Sequence, residues 1–216
     1  MEIKAVFLNC TLKKSPETSN TEALIQKMVD LYAQMGVKSK IIRVVDFKVA
    51  FGNTSNEGEG DDWPLILEEI KGSDILILAS PIWLGDKSSV CKMVIERLDG
   101  STNEEDPQDG QPPLYNKVGG VLVTGNEDGA KKVCADVLFS LGHSGCSLPP
   151  NPMAYWVGTA GPGPSYIEAG GFKHFFTNKN LRTLAENTSY MAQLLRKYPI
   201  PTNLHQLKEL ARQESR

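Results

Sequence analysis

Hydroxyl and ammonium groups suited to binding phosphate are concentrated near the start of the chain. Residues 9–21 read N-C-T-L-K-K-S-P-E-T-S-N-T. After Asn9, seven of these side chains carry a hydroxyl or an ammonium group, namely Thr11, Lys13, Lys14, Ser15, Thr18, Ser19 and Thr21. Such groups match the oxygens of a phosphate monoester, although the same residues could simply cap a helix and solvate a loop.

A second stretch carries a large aromatic side chain among apolar neighbours. Residues 80–85 read S-P-I-W-L-G. Trp83 could stack there on a flat aromatic ligand. The alternative is that Trp83 only packs against other residues of the protein.

Two glycines and several polar side chains make up a third stretch, T-G-N-E-D-G at residues 124–129. Gly125 and Gly129 let the backbone approach a ligand closely. Asn126 and backbone N–H groups could then bind the polar edge of a ring. Glu127 and Asp128 have an alternative role, because acidic side chains at this place can cap the following helix.

The first stretch joins an apolar run at residues 5–8 to a predicted amphipathic helix. Apolar residues recur at helical spacing from Leu24 to Met35. Ser19 and Glu22 fit the capping-box pattern that marks a helix start. A helix start presents unpaired N–H groups and partial positive charge, so this junction predicts an anion site. Neither G-x-x-x-x-G-K-[ST] nor G-x-G-x-x-G occurs, which excludes a P-loop and a dinucleotide fingerprint.

Strands and helices alternate about five times along the chain. Further strands are predicted at residues 38–45, 75–79 and 118–124 and within 147–157. Predicted helices cover residues 65–71, the segment after Ser88 or Ser89, the segment around 134–141, and 181–195. This alternation predicts an α/β fold in which a five-stranded parallel sheet carries helices on both faces.

In a sheet of strand order 2-1-3-4-5, the three polar stretches follow neighbouring strands. Ligands of such sheets bind beyond the carboxyl ends of the strands, at the switch in strand order. One ligand could therefore touch all three stretches. We predict one domain over residues 1–198, followed by a charged tail at 199–216 that frays or holds a partner subunit.

Three motifs follow one another along the chain, namely T-L-K-K-S-P-E-T-S-N-T, S-P-I-W-L-G and T-G-N-E-D-G. Because it has these motifs in this order, the chain resembles the flavodoxin-like NAD(P)H-dependent FMN reductase and quinone reductase superfamily. The resemblance extends from Lys4 to about Lys197. The segment N-P-M-A-Y-W-V-G-T-A-G-P-G-P-S-Y is similar to one in a bacterial branch of these proteins. The resemblance implies that FMN accepts hydride from NAD(P)H and passes electrons to a small acceptor, with no catalytic side chain and no metal.

Site residues follow from the resemblance position by position. The implied phosphate ligands are Thr11, Lys13, Ser19, Asn20 and Thr21. The residues that would flank the isoalloxazine and the ribityl chain are Pro81, Ile82, Trp83, Leu84 and Gly85. The residues on the pyrimidine side would be Thr124, Gly125, Asn126, Asp128 and Gly129. The first loop departs from the family pattern, because it is longer and lacks the arginine that many members carry near Lys13.

Composition limits the other possibilities. The chain has 216 residues with 40% hydrophobic and 23% charged residues, and its net charge of −3 gives no reason to expect a nucleic-acid surface. No apolar run reaches the roughly 20 residues that span a bilayer, and no signal peptide is expected. The four cysteines form no C-x-x-C pair, so a zinc site or disulfide framework is not expected, and a reducing cytoplasm is the default.

Three other functions stay open at this point. The chain could be an electron-transfer flavodoxin without nicotinamide oxidation, or a cofactor-free flavodoxin-like interaction protein. A cysteine enzyme is a more distant option, since Cys10 begins the first loop, but a small buried thiol is favoured. The resemblance also implies a homo-oligomer, dimer or tetramer, and Phe172, Phe175 and Phe176 could form an interface, a lid or a folded-back core.

Overall fold

The computed structural model describes residues 2–126, 128–161 and 163–215. Within them lie six β-strands, most of which coincide with apolar runs of the sequence. The strands are β1 (Lys4–Asn9), β2 (Lys38–Arg43), β3 (Ile75–Trp83), β4 (Asp86–Lys87), β5 (Val118–Gly125) and β6 (Met153–Val157).

The described residues also form six α-helices and two short 3-10 helices. The α-helices are α1 (Asn20–Gln34), α2 (Trp63–Lys71), α3 (Ser89–Ser101), α4 (Ala130–His143), α5 (Phe175–Lys197) and α6 (Leu204–Glu214). The 3-10 turns are Val44–Asp46 and Gly171–Lys173. Helix α2 begins at Trp63 rather than at Leu65, because Pro64 occupies its first turn, where a missing N–H is tolerated.

Five parallel strands form the sheet, in the order β2-β1-β3-β5-β6. The predicted order 2-1-3-4-5 is therefore confirmed when these five are counted in sequence. The register places Leu8 beside Ile42 on one side and Leu78 on the other. The switch in strand order consequently lies between β1 and β3. Ligands of such sheets bind at this switch point.

Each face of the sheet is covered by its own group of helices. On one face Val6, Leu8 and Leu76 pack with α2, α3 and α4. On the other face Phe7 and Ile77 pack with α1 and α5. This arrangement follows from continuous apolar runs in the central strands β1 and β3, since alternate side chains of a parallel strand enter opposite cores.

The segment expected as a loop after the third strand is instead a hairpin. Strand β3 continues to Trp83, and β4 pairs antiparallel with it, Trp83 opposite Asp86. The two turn residues, Leu84 and Gly85, have φ values of 50° and 74°. Two successive left-handed residues define the tight turn that suits a two-residue hairpin. Sequence periodicity missed it because β4 has only two residues.

The C-terminal tail contains a helix that was not predicted. Pro199 and Pro201 separate α5 from α6, and the Asn203 side chain caps α6 by accepting from the Gln206 N–H. The N–H of Leu204 donates to the carbonyl of Asp109 at 2.6 Å. Helix α6 is amphipathic but buries none of its residues. The division of the chain at residue 198 stays a prediction.

No helix in the described ranges combines the length and the apolar character that crossing a membrane requires.

Candidate functional site

A cavity of about 610 Å³ lies at the carboxyl ends of β1, β3 and β5. Residues from all three predicted stretches line it, together with residues in and after β6. The lining consists of Thr11, Leu12, Lys13, Asn20, Thr21, Pro81, Ile82, Trp83, Thr124, Gly125, Asn126, Trp156, Gly161, Ser165 and Tyr166. The volume lies within the range of small-molecule and cofactor sites.

Ten of the fifteen predicted site residues line this cavity. The five that lie outside the lining are Ser19, Leu84, Gly85, Asp128 and Gly129. They are close in sequence to lining residues. Ser19 caps α1, Leu84 and Gly85 form the hairpin turn, and Gly129 approaches Gly85. Binding of FMN by any of the fifteen stays a prediction, and Glu127 lies outside the described residues.

The first loop meets the start of α1 at one end of the cavity. Ser19 is the N-cap of α1, and its Oγ accepts from the Glu22 N–H at 3.1 Å. Thr11, Asn20 and Thr21 therefore sit beside the helix N-terminus, where backbone N–H groups lack intrahelical partners. The hydroxyls of Thr21 and Thr124 are 2.9 Å apart, which ties the first loop to the third. This end of the cavity has the donors and the dipole that an anionic group requires.

Arg43, at the end of β2, braces the first loop from outside the cavity. Its Nη1 donates to the carbonyl of Glu17 at 2.8 Å and to that of Lys13 at 3.4 Å. Its Nε and Nη2 both donate to Glu22 Oε2, which also accepts from Asn9 Nδ2. A guanidinium group thus lies beside Lys13 although the loop itself contains no arginine. Glu22 serves this network, whereas a capping box would have used it to bind the Ser19 N–H.

The loop has a second anchor on the same side. Asp46 follows β2, and its carboxylate accepts from both the N–H and the hydroxyl of Ser15, at 2.9 Å and 2.6 Å. These hydrogen bonds from Ser15 lower the pKa of Asp46. The long first loop is therefore anchored to the end of β2 and to the turn after it. Sequence reasoning missed Arg43 and Asp46, because only the strand order brings the end of β2 beside this loop.

The β3–β4 hairpin forms the aromatic side of the cavity. Trp83 lines the cavity and is 55% exposed, whereas Leu84 is 94% exposed and is not part of the lining. A side chain added at Gly129 would clash with the carbonyl group of Gly85. The hairpin and the third loop therefore touch through two glycines, which explains why neither glycine lines the cavity.

Ion pairs fasten the hairpin to α4. Lys132 Nζ lies 2.8 Å from Asp86 Oδ2, and Lys87 Nζ lies 3.1 Å from Asp136 Oδ2. The hydrogen bond from Lys132, assisted by Lys87, lowers the pKa of Asp86 to about 2. Trp83 is thus presented on a braced hairpin and not on a free loop.

Residues 156–161 and 163–167, called the fourth wall below, close the cavity and were not predicted as part of the site. Trp156 and Tyr166 pack edge to face with ring centroids 5.5 Å apart. Asn126 Nδ2 donates to the Gly163 carbonyl at 2.6 Å, and the Ile167 N–H donates to Asn20 Oδ1 at 2.8 Å. Asn20 and Asn126 therefore tie this wall to the first and third loops. The signal was present in the sequence, since the motif ending P-G-P-S-Y contains four of the lining residues.

The described part of the chain offers little support for a metal site or a cysteine nucleophile. No group of three or more histidine, cysteine or acidic side chains that could hold a metal occurs there. Cys10 is fully buried, and its hydrogen bond to Cys91 together with burial raises the pKa of its thiol. A thiol in this state is a poor nucleophile. The structural role predicted for Cys10 is therefore favoured over the catalytic one.

A five-stranded parallel sheet of this strand order, with a cavity at its switch point, defines a flavodoxin-like fold. The described structure is similar to the flavodoxin of Streptococcus pneumonia TIGR4, with a TM-score of 0.52 and 15% identity over 88% of this chain and 99% of that one. That likeness concerns the fold alone.

Residues 3–159 match the family described as NADPH-dependent FMN reductase, and the chain belongs to this family. It is 43% identical over 224 residues to 8-demethyl-8-aminoriboflavin-5'-phosphate synthase from Streptomyces davaonensis, covering 100% of this chain and 87% of that protein. It is also similar to the crystal structure of RosB with the bound intermediate 8-demethyl-8-formylriboflavin-5'-phosphate. The TM-score is 0.88 at 42% identity, over 99% of this chain and 88% of that one.

These findings confirm the resemblance drawn from the three motifs. The chain is a flavoprotein oxidoreductase of a family that uses FMN and NADPH, and it acts on small molecules.

Proposed function

We propose that the cavity binds FMN and that the chain transfers electrons from NAD(P)H through it to a small acceptor such as a quinone or a flavin. The observation that carries this proposal is the convergence of all three motifs on one cavity that has the start of α1 at one end. Bound FMN supplies the hydride acceptance and electron transfer. The chain's own residues bind and orient it and exclude water.

The phosphate is proposed to lie at the start of α1. Thr11, Lys13, Asn20 and Thr21 line this end of the cavity. Lys13 Nζ donates to the Thr18 carbonyl at 3.2 Å, so its ammonium group is held against the backbone of its own loop. Ser19 contributes by capping the helix, which aligns the free N–H groups with the anion. This donor set fits a phosphate monoester.

The ring is proposed to lie between the hairpin and the third loop. Pro81, Ile82 and Trp83 form the apolar side, and Thr124, Gly125 and Asn126 form the polar side. A side chain at Gly125 would come within 2.7 Å of Ile82 Cβ, so glycine lets the ends of β3 and β5 approach each other beside the ring. Leu84, Gly85, Asp128 and Gly129 lie outside the lining, where Gly85 and Gly129 approach each other closely.

Absorption spectroscopy of the purified protein tests this function. We expect flavin bands from a cofactor whose released mass is that of FMN, and anaerobic bleaching by NADPH or NADH. Protein that binds FMN but stays yellow with both nicotinamides would indicate an electron-transfer flavodoxin. A chain that takes up no flavin from excess FMN would indicate a cofactor-free interaction protein.

A second candidate function is that a riboflavin 5'-phosphate is itself the substrate. The relative that favours it is named as a synthase of an 8-amino flavin phosphate and is 43% identical across the whole of this chain. Mass spectrometry of the flavin after aerobic incubation with protein and an amino-group donor distinguishes the two functions. A flavin of altered mass supports modification, and FMN recovered unchanged supports the reductase.

Homo-oligomerisation in the cytoplasm is part of the proposal. Leu207 and Leu210 lie on α6, which buries none of its residues, so its apolar side suits a second copy of the chain. The four cysteines are buried and free, which suits a reducing compartment. Light scattering should give a dimer or tetramer, and Leu207→Lys with Leu210→Lys should reduce the mass. A monomeric wild type would contradict this assembly.

A further inference from the structure

Tyr166 is a cavity residue with a buried hydroxyl that lacks a partner. The side chain is 1% exposed and belongs to the lining of the main cavity. Its hydroxyl oxygen makes no hydrogen bond within residues 2–126, 128–161 and 163–215. Buried polar groups of folded proteins are nearly always hydrogen-bonded, so an exception beside a binding cavity points to a group that a ligand satisfies.

The surrounding structure holds the Tyr166 ring in place. The ring packs edge to face against Trp156, and a side chain at Gly171 would overlap with it. The Tyr166 carbonyl accepts from the Gly171 N–H at 2.7 Å. These contacts fix the aromatic ring but leave its polar end unused. A residue needed only for packing would be served equally well by phenylalanine.

We propose that the Tyr166 hydroxyl donates a hydrogen bond to an acceptor atom of bound FMN and thereby helps the fourth wall to recognise this ligand. This inference rests on the proposed function, because it requires FMN in the cavity. FMN is favoured over a second substrate because the fourth wall is tied to Asn20 and Asn126, which belong to the loops proposed to hold FMN.

The protonation state of Tyr166 suits a donor. Burial raises the pKa of its phenol to about 12, so the group is neutral and carries its proton at physiological pH. In the free protein the buried hydroxyl of Tyr166 has no acceptor, and this destabilises the fold. An acceptor atom of a bound ligand restores the missing hydrogen bond. Ligand binding and protein stability should therefore respond in opposite directions when the hydroxyl is removed.

Tyr32 supplies a matched control. It is also fully buried, but its hydroxyl is 2.7 Å from Thr188 Oγ1, and it does not line the cavity. Tyr166→Phe and Tyr32→Phe each delete one buried phenolic oxygen. Only the first deletion concerns the cavity.

Flavin-free protein is titrated with FMN by fluorescence quenching, and its melting temperature is measured without flavin. We expect Tyr166→Phe to raise the FMN dissociation constant about tenfold while its flavin-free melting temperature stays equal or rises. Tyr32→Phe should bind FMN as the wild type does and should melt about 2–4 °C lower.

The possible results distinguish a failure of the Tyr166 inference from a failure of the proposed FMN-binding function. If wild-type protein binds FMN and Tyr166→Phe binds it within about twofold, the inference is overturned. It is overturned as well if the variant changes only the KM of NADPH or of the acceptor, because the hydroxyl then serves a second substrate. Wild-type protein that binds no FMN overturns the proposed function itself.

Discussion

Replacement of Arg43 by methionine tests how the first loop is prepared for phosphate. The substitution keeps much of the apolar stem and removes the guanidinium. It deletes the 2.8 Å hydrogen bond to the Glu17 carbonyl and both bonds to Glu22 Oε2. Of the contacts that tie residues 13–17 to β2 and the turn after it, the hydrogen bonds from Ser15 to Asp46 then remain.

The size of the effect follows from these contacts. The Arg43 side chain is only 10% exposed, and a hydrogen bond from a charged donor contributes about 1.5–3 kcal/mol. Glu22 is 37% exposed, so the ion pair adds at most about 1 kcal/mol after solvent screening. A loss of about 2 kcal/mol in loop order raises the apparent dissociation constant of FMN by up to about 30-fold. This is an upper limit because the Ser15 anchor remains.

A comparison of FMN with riboflavin makes the assay specific, because riboflavin lacks the phosphate. Arg43→Met should weaken FMN binding by roughly 3- to 30-fold and change riboflavin binding far less. Lys40→Met is the control, since Lys40 lies on the same strand but forms an exposed pair with Glu69. Adding Glu22→Gln to Arg43→Met should recover part of the loss by removing an unpaired negative charge. Equal losses for FMN and riboflavin, or none for either, would refute the reasoning.

Further predictions concern the buried ion pair of α3, its pH response and one glycine contact. Arg97→Met strands the buried Asp61 carboxylate, so the free energy of unfolding should fall by about 3–5 kcal/mol in urea. Lys92→Met, which removes an exposed pair on α3, should change it by under about 0.5 kcal/mol. Equal effects would contradict this burial argument. Burial alone would raise the pKa of Asp61, but Arg97 and backbone N–H groups lower it to about 2. The carboxylate therefore stabilises the fold above its unfolded pKa of about 3.9, and about 2 kcal/mol is lost as pH falls through 2. Urea midpoints that stay flat from pH 4 to 2 would refute this. Gly129→Ala should lower both the melting temperature and FMN affinity, because the new methyl group meets Gly85. Gly58→Ala, which has a similar φ and open space around it, should lower the melting temperature less and leave FMN binding unchanged.

The sheet and much of the cavity were predictable because their signals are local. Continuous apolar runs such as residues 75–79 mark buried parallel strands, and polar residues at their carboxyl ends mark the site. The short strand β4 escaped prediction because two residues show no periodicity. Helix α6 escaped because a helix that buries none of its residues needs no long apolar run.

The residues that hold the loops of the site in place could not be predicted from local sequence patterns. Arg43 acts on residues 30 and 26 positions earlier in the chain, and nothing in its own segment marks that role. Asn20 and Asn126 were predicted as ligand contacts, yet their side chains hold the fourth wall through Ile167 and Gly163. Both kinds of contact arise from strand order and loop length, which no single segment encodes.

The fastening of the fourth wall by two amide side chains has a consequence for protease resistance. Asn20 and Asn126 extend from the loops that would close around a ligand, so ordering of those loops also orders residues 163–170. Local opening of that segment and release of the ligand are then thermodynamically linked. Cleavage within residues 163–170 should therefore slow as the site becomes saturated, which makes this surface segment a reporter of events inside the cavity.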